Sequence, residues 1–527
     1  KMDIYEPDQS IDTTVSQRPV IIYVHTGNLL PPPVNGSPNG VRTDSSAVES
    51  CRRFARRGFV AISIDYRDGW NPLDTTLEGR RGTLLNAVYR AIHDLREATR
   101  VLREDAASLN TWAIDPDKIV LFGEGTGGYI VQASATLDEP GEIFIEKFLP
   151  DIFDPNTSYV DTVQVGNFEG YCTSANPYCL SLYQPSGFSS KGNMTVNLGG
   201  ALADTSWLAV GDPPSVSFHT VFDPFAPFTE GIVIVPTTGE QVLPLQGSNL
   251  VQQLQNDYGN NDAFATLPGG DVYTDRARSM YGATYTHTVG SETIQPSPEG
   301  LYPFLTPDWP LAIPGTMEEA SPWQWWDPAS PLANVDLDGP GPGTVTTGQA
   351  SQASNPNFGP VKGRAYIDTV MGYSCPRIVC ALQIGPCSLV GIDEASPAAV
   401  GVEVAPNPSH GAITITSANS EVWAYDLFDA NGRIVRSPRV NSRSFTIERS
   451  DLVNGPMALS PAPSCWSDPA SDEKKRAPRS GALFFVPTPE AWNGSPSKPR
   501  ATITWRRWAP MNCSVRSTRK IRRWPLL

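Results

Sequence analysis

Hydroxyl, carboxyl and imidazole groups able to carry out acyl transfer occur at three places in this 527-residue chain. The first is Ile119 to Tyr129, IVLFGEGTGGY. An apolar run there meets a glycine-rich turn, with Gly123, Gly125 and Gly127 at alternate places and Thr126 as the nearest hydroxyl. A strand that turns sharply into a helix in the pattern G-x-S-x-G presents a nucleophile; here the middle place is Gly125. The second is PSVSFHTVFDPFAPF, where Asp223 closes an apolar run and His219 precedes it by four residues. The third is His287, in YTHTVG. A nucleophile, a base, an acid that orients the base, and N–H donors for the developing oxyanion are the four parts such chemistry needs.

The elements that position these groups are legible from periodicity. Arg18 to Gly27, RPVIIYVHTG, and Phe59 to Arg67, FVAISIDYR, are short apolar runs suited to strands buried on both faces. A helix is predicted from about Asp44 to Arg57, and a longer one from roughly Thr83 to Arg103. In the longer helix Leu85, Val88, Ile92, Leu95 and Leu102 share a face. Lys118 to Phe122 is a third strand, and a helix follows near Tyr129 to Leu137. Alternating strands and helices predict an α/β fold with a doubly wound, mostly parallel sheet. His25-Thr26-Gly27, Tyr66-Arg67-Asp68 and Gly123 to Gly127 then converge at the carboxyl edge, where ligands bind.

These segments resemble the α/β-hydrolase fold, carboxylesterase-like branch, over about residues 1–330. VIIYVHTGN resembles that family's oxyanion strand, where HGG is usual, and AISIDYRDGWNP its NYR-x-G strand. VLFGEGTGGY resembles the GESAGGY elbow, and PSVSFHTVFDPFAPF the acid strand PVLSFHGTADPVVPY. The resemblance implies an oxyanion hole from the amides of Gly27, Asn28 and Thr126, an elbow at Gly123, Gly125 and Gly127, and Asp223 as the acid. His287 follows Asp223 in the chain order expected of the base, although the family's GxGH context is lacking. Thr126 is the candidate nucleophile, against the reading that it starts the helix and supplies only its N–H. Asp223 is equally a strand-end residue capping a turn, and His287 equally an exposed loop histidine. His25 belongs to the oxyanion strand, His93 to the long helix, and His410 to a later segment. No metal or cofactor is implied. In NVDLDG, Asn334, Asp336, Asp338 and Gly339 match half a calcium loop, and a polar turn is the better reading.

Residues 159–192 take the place of a lid, and Cys172 and Cys179 bracket a turn that a disulfide could close. Cys375, Cys380 and Cys387 cluster further on; the eight cysteines suit loop-stapling disulfides in an oxidising compartment, or else reduced buried residues. Tyr302, Phe304, Trp309, Trp323, Trp325 and Trp326 either line a pocket or cover the core. Residues 331–401 read as a Gly/Pro/Ser-rich, cysteine-containing extension and linker.

From Val402, the blocks VEVAPNPSHGAITI, VWAYDLFDANGRIVR and FTIERSDLVNG resemble a type IX secretion sorting domain, a small β-sandwich. Alternating Ile413 and Ile415 and the Asn431-Gly432 turn agree with strands and a hairpin. The resemblance implies export by the type IX machinery to the surface or surroundings of a Gram-negative bacterium. Its pattern stops at Gly455, which leaves a partial domain at 402–456 with an exposed sheet edge. Residues 457–527 read as a basic irregular tail, either an out-of-frame ending or an anchoring segment. Thirteen Lys and Arg against four Asp and Glu put that tail at +9 and the preceding residues at −24, within a net charge of −15. So acidic a body disfavours nucleic acid as a partner. No apolar run is long enough to span a bilayer. The opening KMDIYEP already reads as a strand, as in a processed or truncated product. Together these readings predict a secreted carboxylic-ester hydrolase acting on a small or polymeric ester. The alternative is a catalytically silent binding or scaffold protein on the same fold.

Overall fold

The computed structural model describes residues 1–7, 17–32, 34–174, 176–181, 183–234, 241–287, 289–306, 309–310, 316–317, 319–337, 345–385 and 387. Beyond these it describes 402–405, 412–418, 422–429, 434–436, 439–448, 457–461, 481–486 and 502–507. The chain divides into two units: residues 1–390 with 515–527, and residues 391–514.

In the first unit the elements run β1 (Met2–Tyr5), β2 (Arg18–Val24), α1 (Ser45–Ala55), β3 (Val60–Ile64), α2 (Leu77–Ser108), β4 (Ile114–Glu124) and α3 (Thr126–Thr136). They continue with α4 (Thr162–Val165), β5 (Met194–Leu198), β6 (Ser215–Thr220), β7 (Glu230–Ile234), β8 (Gln241–Gln246), α5 (Ser248–Asp257) and α6 (Val272–Arg278). Then come β9 (Thr284–His287), β10 (Gly290–Thr293), β11 (Leu301–Phe304), α7 (Thr347–Ala353) and α8 (Pro360–Leu382). Seven strands form one sheet in the order β1-β3-β2-β4-β5-β6-β11. Only β1 is antiparallel to its neighbour; the other pairs are parallel.

The sequence of β2, β3 and β4 explains the layering. Side chains alternate across a strand with period two. Val20, Ile22, Val24, Ile62 and Leu121 join the core beneath α2 and α3. Their neighbours Ile21, Tyr23, Ala61, Val120 and Phe122 join the opposite core, with Phe54 of α1 and Ile367, Val370 and Tyr373 of α8. An apolar run with no polar alternation is thus required by a sheet covered on both faces. The chain leaves β2 for β3 on one side, then returns to β4 on the other. The ends of β2 and β4 therefore flank a topological switch point, where a crevice opens.

Two sequence expectations are corrected. Residues 331–401 are not simply a linker, because α8 is a 23-residue helix packed into the second core. Residues 457–527 are not wholly irregular either. Met457–Pro461 pairs with Val422–Asp429, so that edge of the second unit is covered, and Gly481–Val486 pairs with Thr502–Arg507. In the same unit Val402–Ala405, Ile413–Ser417 and Ser444–Ile447 form a separate three-stranded sheet. Cys172–Cys179 and Cys380–Cys387 are disulfides, with Cα separations of 5.4 and 5.0 Å, whereas Cys51 and Cys375 are free. His410, Asp338 and Gly339 lie outside the described residues. Among the described residues, no helix is long and apolar enough to cross a membrane.

Candidate active site

The glycine-rich turn joins β4 directly to α3. Gly125 has φ 53° and ψ −116°, and Thr126 begins the helix. A side chain at such a positive φ costs about 1–3 kcal/mol, and glycine escapes that cost. Gly123 and Gly127 are needed for a different reason: a Cβ on Gly123 would collide with the Gly127 carbonyl, and one on Gly127 with the Val24 carbonyl. Strand and helix are packed backbone to backbone at this corner. The first amides of a helix have no intrahelical acceptor, so the start of α3 offers N–H donors.

The end of β2 supplies the other wall. Gly27, Asn28 and Leu29 all have positive φ, at 146°, 55° and 56°. Asn28 N donates to Thr126 Oγ1 at 2.8 Å, so one predicted oxyanion donor is already engaged by the predicted nucleophile. The His25 ring stacks on Tyr66 with centroids 4.6 Å apart, and its Nδ1 contacts the Thr26 carbonyl. Burial holds the His25 pKa at about 4, so this imidazole is neutral and structural. Tyr66 Oη donates to the His25 carbonyl at 3.2 Å.

Beneath the corner lies Glu124, fully buried. It accepts from Tyr23 Oη at 2.6 Å, Ser46 Oγ at 3.0 Å, Trp323 Nε1 at 3.0 Å and Gln324 Nε2 at 2.8 Å. Burial raises its pKa and these donors pull it back. The sequence reading missed this hub, because a lone glutamate between glycines carries no signal of its partners.

Asp223 follows β6. Its Oδ1 accepts from Phe225 N at 2.8 Å and Ala226 N at 3.0 Å, the turn-capping arrangement. The side chain is 3% exposed, and burial pushes its pKa up to about 7. His219 Nε2 is 3.9 Å from Asp223 Oδ2, yet that ring is committed elsewhere, to Ser248 Oγ at 2.7 Å and the Ala226 carbonyl at 3.1 Å. His287 is on β9, in a hairpin with β10, and its ring lies 5.3 Å from Phe222. It precedes the last sheet strand, β11. Among the described residues, no imidazole hydrogen-bonds to Thr126 Oγ1.

Gly27, Asn28, Gly125, Thr126 and Asp223 meet around one cavity of about 460 Å³; His287 is not in its wall. The lining includes apolar Leu84, Val88, Ile92, Phe148, Trp207 and Leu243, and polar Asn35, Ser37, Gln324 and Asn355. Asp223 is the one charged residue in the described lining. Of the aromatic patch, Trp326 lines the cavity, while Tyr302, Phe304, Trp323 and Trp325 are core. Of the described residues in 159–192, only Val160 lines the cavity. Other residues of that segment bind α2: Arg96 and Arg100 hold the Phe168 and Glu169 carbonyls, and Tyr183 Oη meets Asp94.

Residues 403–458 match the family model described as a secretion system C-terminal sorting domain. Comparison with curated proteins found no match. Among solved structures, the chain is similar to esterase 2 of the Planctomycetes species Thermogutta terrifontis. The propionate-bound form is 21% identical over 43% of this chain and 69% of that one, with a TM-score of 0.25. The form phosphorylated by paraoxon is 22% identical over 43% and 68%, with a TM-score of 0.26.

Proposed function

We propose that this chain is an exported, esterase-like protein of the α/β-hydrolase fold whose cavity holds a neutral, largely apolar ligand bearing a carbonyl group. We further propose that it does so without serine-type turnover. One observation carries this: the β4–α3 corner keeps a sharp elbow conformation at Gly125 while presenting no side chain there. The amide-rich strand ends supply donors for a carbonyl oxygen, and the apolar wall supplies burial worth about 25 cal/mol per Å². The described wall offers no cationic side chain to pair with a carboxylate or phosphate ligand, and its one carboxyl is Asp223, whose pKa burial pushes up to about 7. Similarity of residues 403–458 to a sorting domain supports export by the type IX route, with that region a small β-sandwich engaging the export machinery.

The second reading is ester hydrolysis by Thr126 as nucleophile, His287 as base and Asp223 as acid. The elbow conformation and the Asn28 amide at 2.8 Å from Thr126 Oγ1 favour it. Calorimetric titration with 2-octanone, a ketone without a leaving group, and hydrolysis of p-nitrophenyl butyrate separate the two. Binding of the ketone with no hydrolysis above the buffer rate is the expected result. Hydrolysis abolished by Thr126→Ala establishes the second reading instead.

A further inference from the structure

The hydroxyl that occupies the apex of the elbow belongs to Thr26. A Cβ placed on Gly125 would fall inside contact distance of Thr26 Oγ1 and 3.0 Å from Thr26 Cβ. Thr26 thus fills the space into which residue 125 would project. It is half-buried and lines the cavity. The contrast with Thr126 is direct: Thr126 Oγ1 is engaged by Asn28 N, whereas Thr26 Oγ1 has no hydrogen-bond partner among the described residues. Retreat is closed to Thr26, because a β-branched side chain has few rotamers. Its backbone is also pinned between the buried His25 and Gly27, where a Cβ would lie 3.2 Å from Gly40 Cα.

We propose that Thr26 is the residue that meets the ligand carbonyl, donating a hydrogen bond from the position an elbow side chain would take. Thr26 and Gly125 form an interlocked pair, bulk on one strand end matched by its absence on the other. The ligand contact rests on the carbonyl-ligand reading above; the interlock does not. It also follows that restoring a serine at 125 alone cannot restore an elbow nucleophile, since Thr26 already holds the space.

The test uses the full chain, 2-octanone as the probe, and thermal melts. Thr26→Val keeps the shape and removes the hydroxyl. It is expected to weaken 2-octanone binding about tenfold, the scale of one hydrogen bond, with little change in Tm. Thr26→Ser keeps binding near wild type; Thr26→Ala repeats the loss should the valine variant fold poorly. Gly125→Ser alone lowers Tm by several degrees, and adding Thr26→Gly recovers most of it. If wild type binds and both Thr26→Val and Thr26→Ala bind equally well, the ligand role is overturned while the carbonyl-ligand reading stands. Should wild type fail to bind 2-octanone, that reading and the ligand role fall together. A Gly125→Ser protein as stable as wild type overturns the interlock.

Discussion

At the scale of single residues, burial raises the pKa of two carboxyls that play different parts. Asp223 has a folded pKa near 7, well above that of an exposed aspartate. The folded state therefore holds a proton that the unfolded state releases, and stability falls as pH rises from about 4 to about 7. Asp223→Asn keeps an acceptor for the Phe225 and Ala226 amides and stays neutral. Its Tm advantage over wild type should grow across that window and level off above it. A constant difference from pH 4 to 8 contradicts the assignment. Glu124, whose pKa burial also raises, is a hub whose removal strands its donors. Glu124→Ala should cost about 3 kcal/mol or more in denaturant unfolding; a loss below 1 kcal/mol means that water replaces the carboxylate. The sequence pointed to Asp223, because its segment resembles an acid strand, and to Gly125, because of the spacing of its neighbours. It could not place His287, since chain order says nothing of which loop faces a cavity. Thr26 was visible only as the departure from HGG in HTG, and its meaning needed the Cβ direction of a residue about a hundred positions away.

At the scale of elements, α2 and α8 show when periodicity works. One face of α2 meets the sheet, and Leu85, Ile92, Leu95 and Leu102 mark it in the sequence. The helix α8 carries Gly363, Gly372 and Pro376 among cysteines and arginines, so composition resembles a loop. Those glycines have a packing role: a Cβ on Gly363 would strike Trp325, and one on Gly372 would strike Tyr273. Tyr373 is wholly buried and stacks edge-on against Phe218 and Tyr302. Tyr373→Ala is expected to cost about 3–5 kcal/mol, as for other buried aromatics. A loss under 1 kcal/mol in chemical denaturation indicates that α8 is dispensable to the second core.

For the whole molecule, the division near residue 390 makes a simple claim. Residues 1–390 carry both hydrophobic cores of the sheet and every described residue lining the cavity. Expressed alone, they should unfold cooperatively and bind 2-octanone as the full chain does. Loss of binding in a folded fragment would show that the second unit contributes to the site. The sequence anticipated a change of character around residue 402 from its three motif blocks, and the acidic body with a basic end from composition alone. It did not anticipate that the first unit needs residues as late as Leu382.

The carboxylate under the elbow has a consequence in time as well as in space. Glu124 takes donors from Tyr23, 101 positions earlier, and from Gln324, 200 positions later. Contacts so distant along the chain form slowly, because the intervening loop must first be closed. During synthesis this hub stays incomplete until well over half of the polypeptide has left the ribosome. A nascent chain arrested before Trp323 would carry the glycine corner with Glu124 short of two of its four side-chain donors.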